Sequence, residues 1–123
     1  KHRRKLGLEL EKRFNWLGGV LSSDNSNHSY LRYSFLVKDP KSFIDRFRVN
    51  FELGIWFQSV AHGRKSEFDK IGYQVGSCPI AEKVVRHIVN FPTHESIDIE
   101  FLLEKLDKYS AEICDNLKFN ERP

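Results

Sequence analysis

Apolar residues at helical spacing mark the first element of the chain. They recur at intervals of three or four positions from near the N-terminus, which places one apolar stripe along a helix that begins near Arg3. The stripe consists of Leu6, Leu10, Phe14 and Leu17. Gly18-Gly19 ends the pattern, and the small polar residues at 22–27 are typical of a surface loop. We therefore predict a helix followed by a loop.

Three stretches have the composition of β-strands. Residues 30–37 are rich in aromatic and β-branched side chains that roughly alternate with polar ones, which predicts a largely buried strand. A second strand is predicted at 53–59, beginning near Gly54, and a third at 88–91, closed by Pro92.

Capping signals predict three further helices. At Asp39-Pro40 an acceptor side chain precedes a proline, which loses nothing at the first helical position by lacking an N–H group. Ser77-Cys78-Pro79 repeats this signal before a short helix. Asp98 is the predicted N-cap of the last helix, whose apolar face continues towards Leu117. The helix after Asp39 has the apolar face Phe43, Ile44, Phe47 and Phe51.

The alternation of these elements predicts an α+β fold, in which a small antiparallel or mixed sheet of about three strands has helices packed on it. A chain of 123 residues has room for one domain, so residues 1–123 are assigned to a single domain. The sequence contains no Met, and its first residues already have a helical pattern without a preceding cap. We expect a piece of a longer polypeptide.

Composition narrows the classes of function. The net charge of +3 comes from 20 basic and 17 acidic residues that are interleaved, so a small nucleic-acid-binding domain is disfavoured. No apolar run is long enough to span a membrane. Cys78 and Cys114 form no C-x-x-C pair, which makes a reducing, cytoplasmic location the default. The five histidines and two cysteines show no metal-ligand spacing, so no metal site is predicted.

Two motifs stand near each other in the second half of the chain. Residues 72–82 read G-Y-x-x-G-x-C-P-x-A-E, and residues 90–94 read N-F-P-T-H. The two glycines permit tight turns, and Cys78-Pro79 begins a helix. Most of these residues therefore have a structural explanation, and His94 is expected to cap or pack rather than to contact a substrate.

Together these motifs resemble the C-terminal small domain of the DegT-type sugar aminotransferases, which depend on pyridoxal phosphate. The resemblance covers nearly the whole chain. Lys1-His2-Arg3-Arg4-Lys5 is similar to the H-R-R helix of that family, and Trp56-Phe57-Gln58-Ser59 is similar to its W-F-x-S strand. Phe35-Leu36-Val37 with Asp39-Pro40 resembles its F-L-V-x-D-P strand.

The resemblance implies the activity of a parent enzyme. Members transfer an amino group, usually from glutamate, to a nucleotide-diphosphate keto sugar in the synthesis of surface polysaccharides or antibiotic sugars. Some relatives use the cofactor for dehydration instead. The parent is expected to be a cytoplasmic homodimer whose large domain binds pyridoxal phosphate through a lysine. By the same resemblance, His62 follows the W-F-x-S strand where many relatives place a histidine that faces the sugar nucleotide. An exposed histidine without a role is the alternative interpretation of His62.

The lysines of the chain bear on whether it is catalytic by itself. A Schiff-base lysine must be desolvated or lie beside another cation, and none of the eleven lysines stands in such a segment. We therefore expect no catalytic residue and no bound cofactor in this chain, and predict that it is inactive alone. The alternative is a stand-alone binding or interaction module that has kept the small-domain fold.

Overall fold

The structure, a computed structural model, describes residues 1–14, 28–61 and 64–113. These ranges form four α-helices and a two-stranded sheet, which confirms the predicted α+β class. In chain order the elements are α1 (His2–Phe14), β1 (Arg32–Leu36), α2 (Pro40–Phe47), α3 (Pro79–Val84), β2 (Ile88–Pro92) and α4 (Ile99–Lys108). Short 3-10 helices lie at Phe68–Ile71 and Ser110–Glu112. In these ranges no helix has the length and apolar character needed to cross a membrane.

The sheet has two strands rather than the predicted three. β1 and β2 are antiparallel, and Ser34 pairs with Asn90 at the centre of the register. Of the strand predicted at 53–59, only Gly54 pairs with the sheet, through two backbone hydrogen bonds to Asn90 of 3.2 and 3.0 Å. In this antiparallel register Trp56 would lie opposite Ile88, the first residue of β2, so β2 offers no further length for the residues after it to pair with. The prediction of a strand at 53–59 was therefore wrong beyond Gly54.

A cluster of phenylalanine rings forms the centre of the core. Phe91 of β2 is fully buried and stacks on Phe35 of β1 with ring centroids 4.9 Å apart. The edges of Phe43 and Phe47 from α2 pack against it at 6.4 and 5.4 Å. Edge-to-face and stacked pairs are the favoured aromatic geometries, so the cluster fixes α2 on one face of the sheet. Leu6 and Leu10 of α1 and Leu102 and Leu106 of α4 complete the buried core.

Tyr30 packs directly on the backbone of α1. A Cβ atom placed on Gly7 would lie 2.3 Å from the Tyr30 ring, so only glycine leaves room for this contact. Tyr30 itself has a positive φ of 49° and is buried. The predicted apolar stripe is confirmed at Leu6 and Leu10, whereas Leu17 lies outside the described residues.

The N-F-P-T-H motif joins three parts of the fold. The side chain of Asn90 accepts a hydrogen bond from the Ser34 hydroxyl of β1. The fully buried hydroxyl of Thr93 lies within hydrogen-bond distance of the Leu31 carbonyl and accepts from Arg3 of α1 at 3.2 Å. Buried polar groups need such partners, because leaving them unsatisfied is costly. Arg3 therefore ties α1 to the sheet, while His94 lies exposed at the surface.

The capping predictions are confirmed at two helices. Asp39 accepts from the Ser42 amide at 3.2 Å, and Asp98 accepts from the Phe101 amide at 3.0 Å. α4 nevertheless ends at Lys108, so its predicted continuation through Ile113 is wrong. Ile113 instead pairs with Val37 beside β1. Residues 114–123, with Cys114 and Leu117, lie outside the described residues.

Candidate functional site

The carboxylate of Glu82 holds the 72–82 segment in shape. Its Oε1 accepts a hydrogen bond from the Tyr73 hydroxyl at 2.5 Å and another from the Gly76 amide at 2.7 Å. Gly72 and Gly76 have φ angles of 71° and 92°, in the region that favours glycine. The letters G-Y-x-x-G and the final E of the motif therefore describe one hydrogen-bonded unit, which precedes and includes α3.

This unit has the electrostatics of a charge-assisted network. The hydrogen bond to Glu82 raises the pKa of the Tyr73 hydroxyl above its ordinary value, since losing the proton would break that bond. The Tyr73 hydroxyl and then the Gly76 amide hold the pKa of Glu82 below its ordinary value, and the positive charge of Arg86 adds to this effect. Glu82 is therefore ionised at neutral pH.

A cleft lies between this unit and the segment 58–60. It has a volume of about 190 Å³. Its polar and charged lining residues are Gln58, Ser59, Lys65, Tyr73, Glu82 and Arg86, and we call it the polar cleft. Beside it, an apolar groove of similar volume shares Ser59, Val60 and Val85 with the polar cleft. The two together form a continuous recess with one charged half and one apolar half.

The wall opposite Glu82 is shaped by a turn at Ser59. The Ser59 hydroxyl accepts from the Ala61 amide at 3.0 Å and lies within donating distance of the Ala61 and Arg64 carbonyls. These bonds hold the two ends of the loop that carries His62. His62 and Gly63 lie outside the described residues, so the contact of His62 with a substrate stays a prediction.

The polar cleft contains two cations, Lys65 and Arg86. Neither Lys65 nor Arg86 forms an ion pair within 4.0 Å in the ranges that the structure describes. Five other cations in those ranges do form ion pairs, as Arg13 does with Asp107 and Arg46 with Glu112. The lining of the polar cleft therefore contains two cations and one ionised carboxylate, that of Glu82.

The described residues do not form a pyridoxal phosphate site. None of the ten lysines in the described ranges is buried, and Lys105, which is half-buried, donates to Asn50 and lies over the ring of Phe47. A lysine that forms a Schiff base needs a desolvated or cation-flanked amine, and no lysine there is desolvated by burial. No step through the cofactor is derived from this chain.

The reactive side chains in the described ranges form no metal-binding cluster. Among the described residues, no group of three or more His, Cys, Asp or Glu side chains could hold a metal ion. The exposed thiol of Cys78 lies at the N-terminus of α3, and Nδ1 of His87 lies 3.0 Å from the Val37 carbonyl.

Sequence reasoning missed the site residues Lys65, Glu82 and Arg86. Lys65 and Arg86 are ordinary charged residues in the sequence, and no motif marks either of them. The spacing of Tyr73, Gly76 and Glu82 carried a usable signal, because a carboxylate following a tyrosine and glycine-containing turn can close that turn. Nothing local in the sequence indicates that Lys65 and Arg86 share a cleft.

The Glu82 network predicts a pH-dependent signal. Because the folded pKa of Glu82 is depressed, the network contributes its stabilisation fully above the ordinary carboxyl pKa of about 4.3, and loses it as the pH falls through the lower folded value. We expect the amide proton shift of Gly76 in NMR spectra to follow the protonation of a single carboxylate, with a midpoint below about pH 4.3. Glu82→Gln should abolish that titration. An unchanged titration in Glu82→Gln would contradict the assignment.

Comparison with known proteins identifies no relative of this chain. It matches no protein-family model, no curated protein and no solved structure. Membership of the DegT-type family therefore stays a prediction that depends on the motifs and on the contacts described above.

Proposed function

We propose that this chain is the substrate-side small domain of a DegT-type, pyridoxal-phosphate-dependent aminotransferase. The observation that carries the proposal is the unit formed by Tyr73, Gly76 and Glu82. The residues that define the first motif contact one another and build a wall of the polar cleft. The hydrogen bonds among Tyr73, Gly76 and Glu82 give a structural reason for the presence of these three residue types in one motif.

The second motif supports the proposal in the same way. Asn90 bonds to both β1 and Gly54, and Thr93 bonds to the backbone before β1 and to Arg3. Arg3 is part of the stretch similar to the H-R-R helix of the family. Two separately recognised pieces of the resemblance, the N-F-P-T-H motif and the H-R-R stretch, therefore meet in the folded chain.

In this proposal one domain binds the cofactor and the other binds the substrate. The cofactor, when bound to a large domain, supplies the electron sink for amino transfer from glutamate to the keto sugar. This chain supplies a surface that binds and orients the sugar nucleotide, with His62 as the proposed substrate contact. The enzyme is proposed to act as a cytoplasmic homodimer in the synthesis of surface polysaccharides or antibiotic sugars.

The proposal is tested on the full-length protein. Its coding sequence should contain a lysine-bearing domain upstream of this chain, and the purified protein should show the visible absorbance of bound pyridoxal phosphate. His62→Ala should raise the KM for the sugar nucleotide roughly tenfold, as expected for a lost polar contact of about 1.4 kcal/mol, with the cofactor absorbance unchanged. His94→Ala, at an exposed histidine outside both halves of the recess, is the matched control.

Two results would overturn the proposal. One is a coding sequence without an upstream lysine-bearing domain, and the other is a full-length protein that binds no pyridoxal phosphate. Equal KM values for His62→Ala and the control would remove only the role of His62.

A stand-alone binding module is the second candidate function. It is favoured by one observation, that the described recess is lined entirely by residues between Phe57 and Ile88 of this chain. A module of this kind predicts that the chain binds its ligand as tightly as any longer form of the protein does. A ligand affinity that depends on the upstream domain would exclude it.

A further inference from the structure

We propose that Ser59 is a positioning residue for the substrate contact assigned to His62. The Ser59 hydroxyl bonds to the backbone on both sides of that histidine, at Ala61 and at Arg64. The inference rests on the proposed function, because it concerns how the loop that carries His62 is held. Ser59 acts through the backbone of this loop, and it is assigned no contact with the substrate.

The Ser59 hydroxyl forms a local set of hydrogen bonds. It accepts from the Ala61 amide at 3.0 Å. Its single proton is donated either to the Ala61 carbonyl, 2.8 Å away, or to the Arg64 carbonyl, which is also within hydrogen-bond distance. A serine that accepts from the amide two residues further along the chain stabilises a turn. One side chain therefore reaches both ends of the loop.

A backbone hydrogen bond joins the same two ends. The Arg64 amide donates to the Ala61 carbonyl at 3.1 Å, which is the i to i+3 bond of a β-turn. His62 and Gly63 are the two residues between these positions in the sequence. Each residue has only two soft backbone dihedrals, so holding the peptide groups on either side restricts the directions open to the His62 side chain. A loop that is ordered before binding has less conformational entropy to lose when the ligand arrives.

The loop is anchored in the wall of the recess. Ser59 and Val60 line both the polar cleft and the apolar groove. Ser59, Val60 and Ala61 are half-buried, so water competes only in part for the Ser59 hydrogen bonds. Loss of the Ser59 hydroxyl therefore loosens the loop at the point where it leaves the recess.

The first experiment measures amide hydrogen exchange in this chain by NMR. Ser59→Ala removes the acceptor of the Ala61 amide but leaves the Ala61 carbonyl, the acceptor of the Arg64 amide, in place. We expect both amides to exchange about three- to tenfold faster, the range for the loss of one hydrogen bond. Ser59→Thr, which keeps a hydroxyl, should restore the slower rates. Because only loop opening exposes the Arg64 amide, an unchanged rate at Arg64 in Ser59→Ala would overturn the inference.

The second experiment measures the steady-state kinetics of the full-length enzyme. Ser59→Ala should raise the KM for the sugar nucleotide about three- to tenfold and leave kcat unchanged, because a looser loop weakens a contact made equally in the ground state and the transition state. Ser59→Thr should restore the KM. The matched control is Ser66→Ala, at an exposed serine outside both halves of the recess. An equal rise in KM in the control, or a lower kcat at unchanged KM in Ser59→Ala, would contradict a positioning role.

A double-mutant cycle with His62→Ala separates positioning from direct contact. If Ser59 acts through His62, Ser59→Ala raises the KM no further once His62 has been replaced. A further rise of the same size in that background would show that Ser59 itself contacts the ligand, and an unchanged KM in His62→Ala would leave Ser59 nothing to position. Either result overturns the inference while the enzyme reading stands. A full-length protein that binds no pyridoxal phosphate would instead overturn the proposed function, and the exchange rates would still decide whether Ser59 holds the loop.

Discussion

Phe91→Ala is expected to lower the free energy of unfolding by about 3–5 kcal/mol, the range for truncating a buried phenylalanine. Phe91 has no exposed surface and contacts rings from β1, α2 and the segment after α2. Its removal leaves a cavity at the point where the sheet and α2 meet. Because small domains are stable by only about 5–15 kcal/mol, this loss is a large fraction of the total.

Urea denaturation followed by circular dichroism measures this loss. The matched control is Phe101→Ala, because Phe101 is 44% exposed and its ring lies 5.7 Å from that of Phe51. We expect the control to cost about 1–2 kcal/mol. Equal shifts in the two denaturation midpoints would show that Phe91 is not the centre of the core.

Gly7→Ala is expected to destabilise the protein, against the ordinary preference of helices. Alanine in place of a helical glycine normally stabilises by about 1 kcal/mol. Here the added methyl would lie 2.3 to 2.7 Å from atoms of the Tyr30 ring, so the ring must move off α1. Overpacking of this kind costs about 1–3 kcal/mol, which outweighs the gain in helix propensity.

A double-mutant cycle with Tyr30→Ala separates the two effects. In the Tyr30→Ala background the clash is absent, so Gly7→Ala should become neutral or stabilising by up to about 1 kcal/mol. A destabilisation of the same size in both backgrounds would mean that Gly7 serves something other than its contact with Tyr30. Both unfolding free energies come from the same urea measurement.

The helix starts were the most predictable part of this fold. Asp39 and Asp98 cap their helices through hydrogen bonds that span three residues, so neighbouring sequence contains everything that the contact needs. The buried faces of α1 and α2 were also predictable, because apolar periodicity follows directly from helix geometry. Leu10, Phe43 and Phe47 are fully buried as that periodicity requires.

The strand predicted at 53–59 was wrong beyond Gly54 because strand pairing is not a local property. The segment after Gly54 has strand composition, and Ile55 and Trp56 are nevertheless 41 and 46% exposed. Whether such a segment joins a sheet depends on free N–H and C=O groups on the neighbouring edge. β2 begins at Ile88, opposite Trp56 in the register set by Gly54 and Asn90, and this limit becomes apparent only when β2 is placed beside Gly54.

Part of the candidate site was likewise predictable from local sequence, and part depends on the tertiary structure. Its turn glycines and the helix start at Pro79 were predicted from short-range signals. The placement of Lys65 and Arg86 in the lining of one cleft was not. Those two residues are brought together by the packing of the 58–60 segment and the 72–82 unit.

The sequence by itself determined the fold class, the helix starts and the buried faces of α1 and α2, because capping and periodicity act over a few residues. Tertiary structure alone decided the number of strands in the sheet, the contact of Tyr30 with Gly7 and the lining of the polar cleft. These features depend on contacts between residues that are far apart in the sequence, and short-range sequence patterns do not predict such contacts.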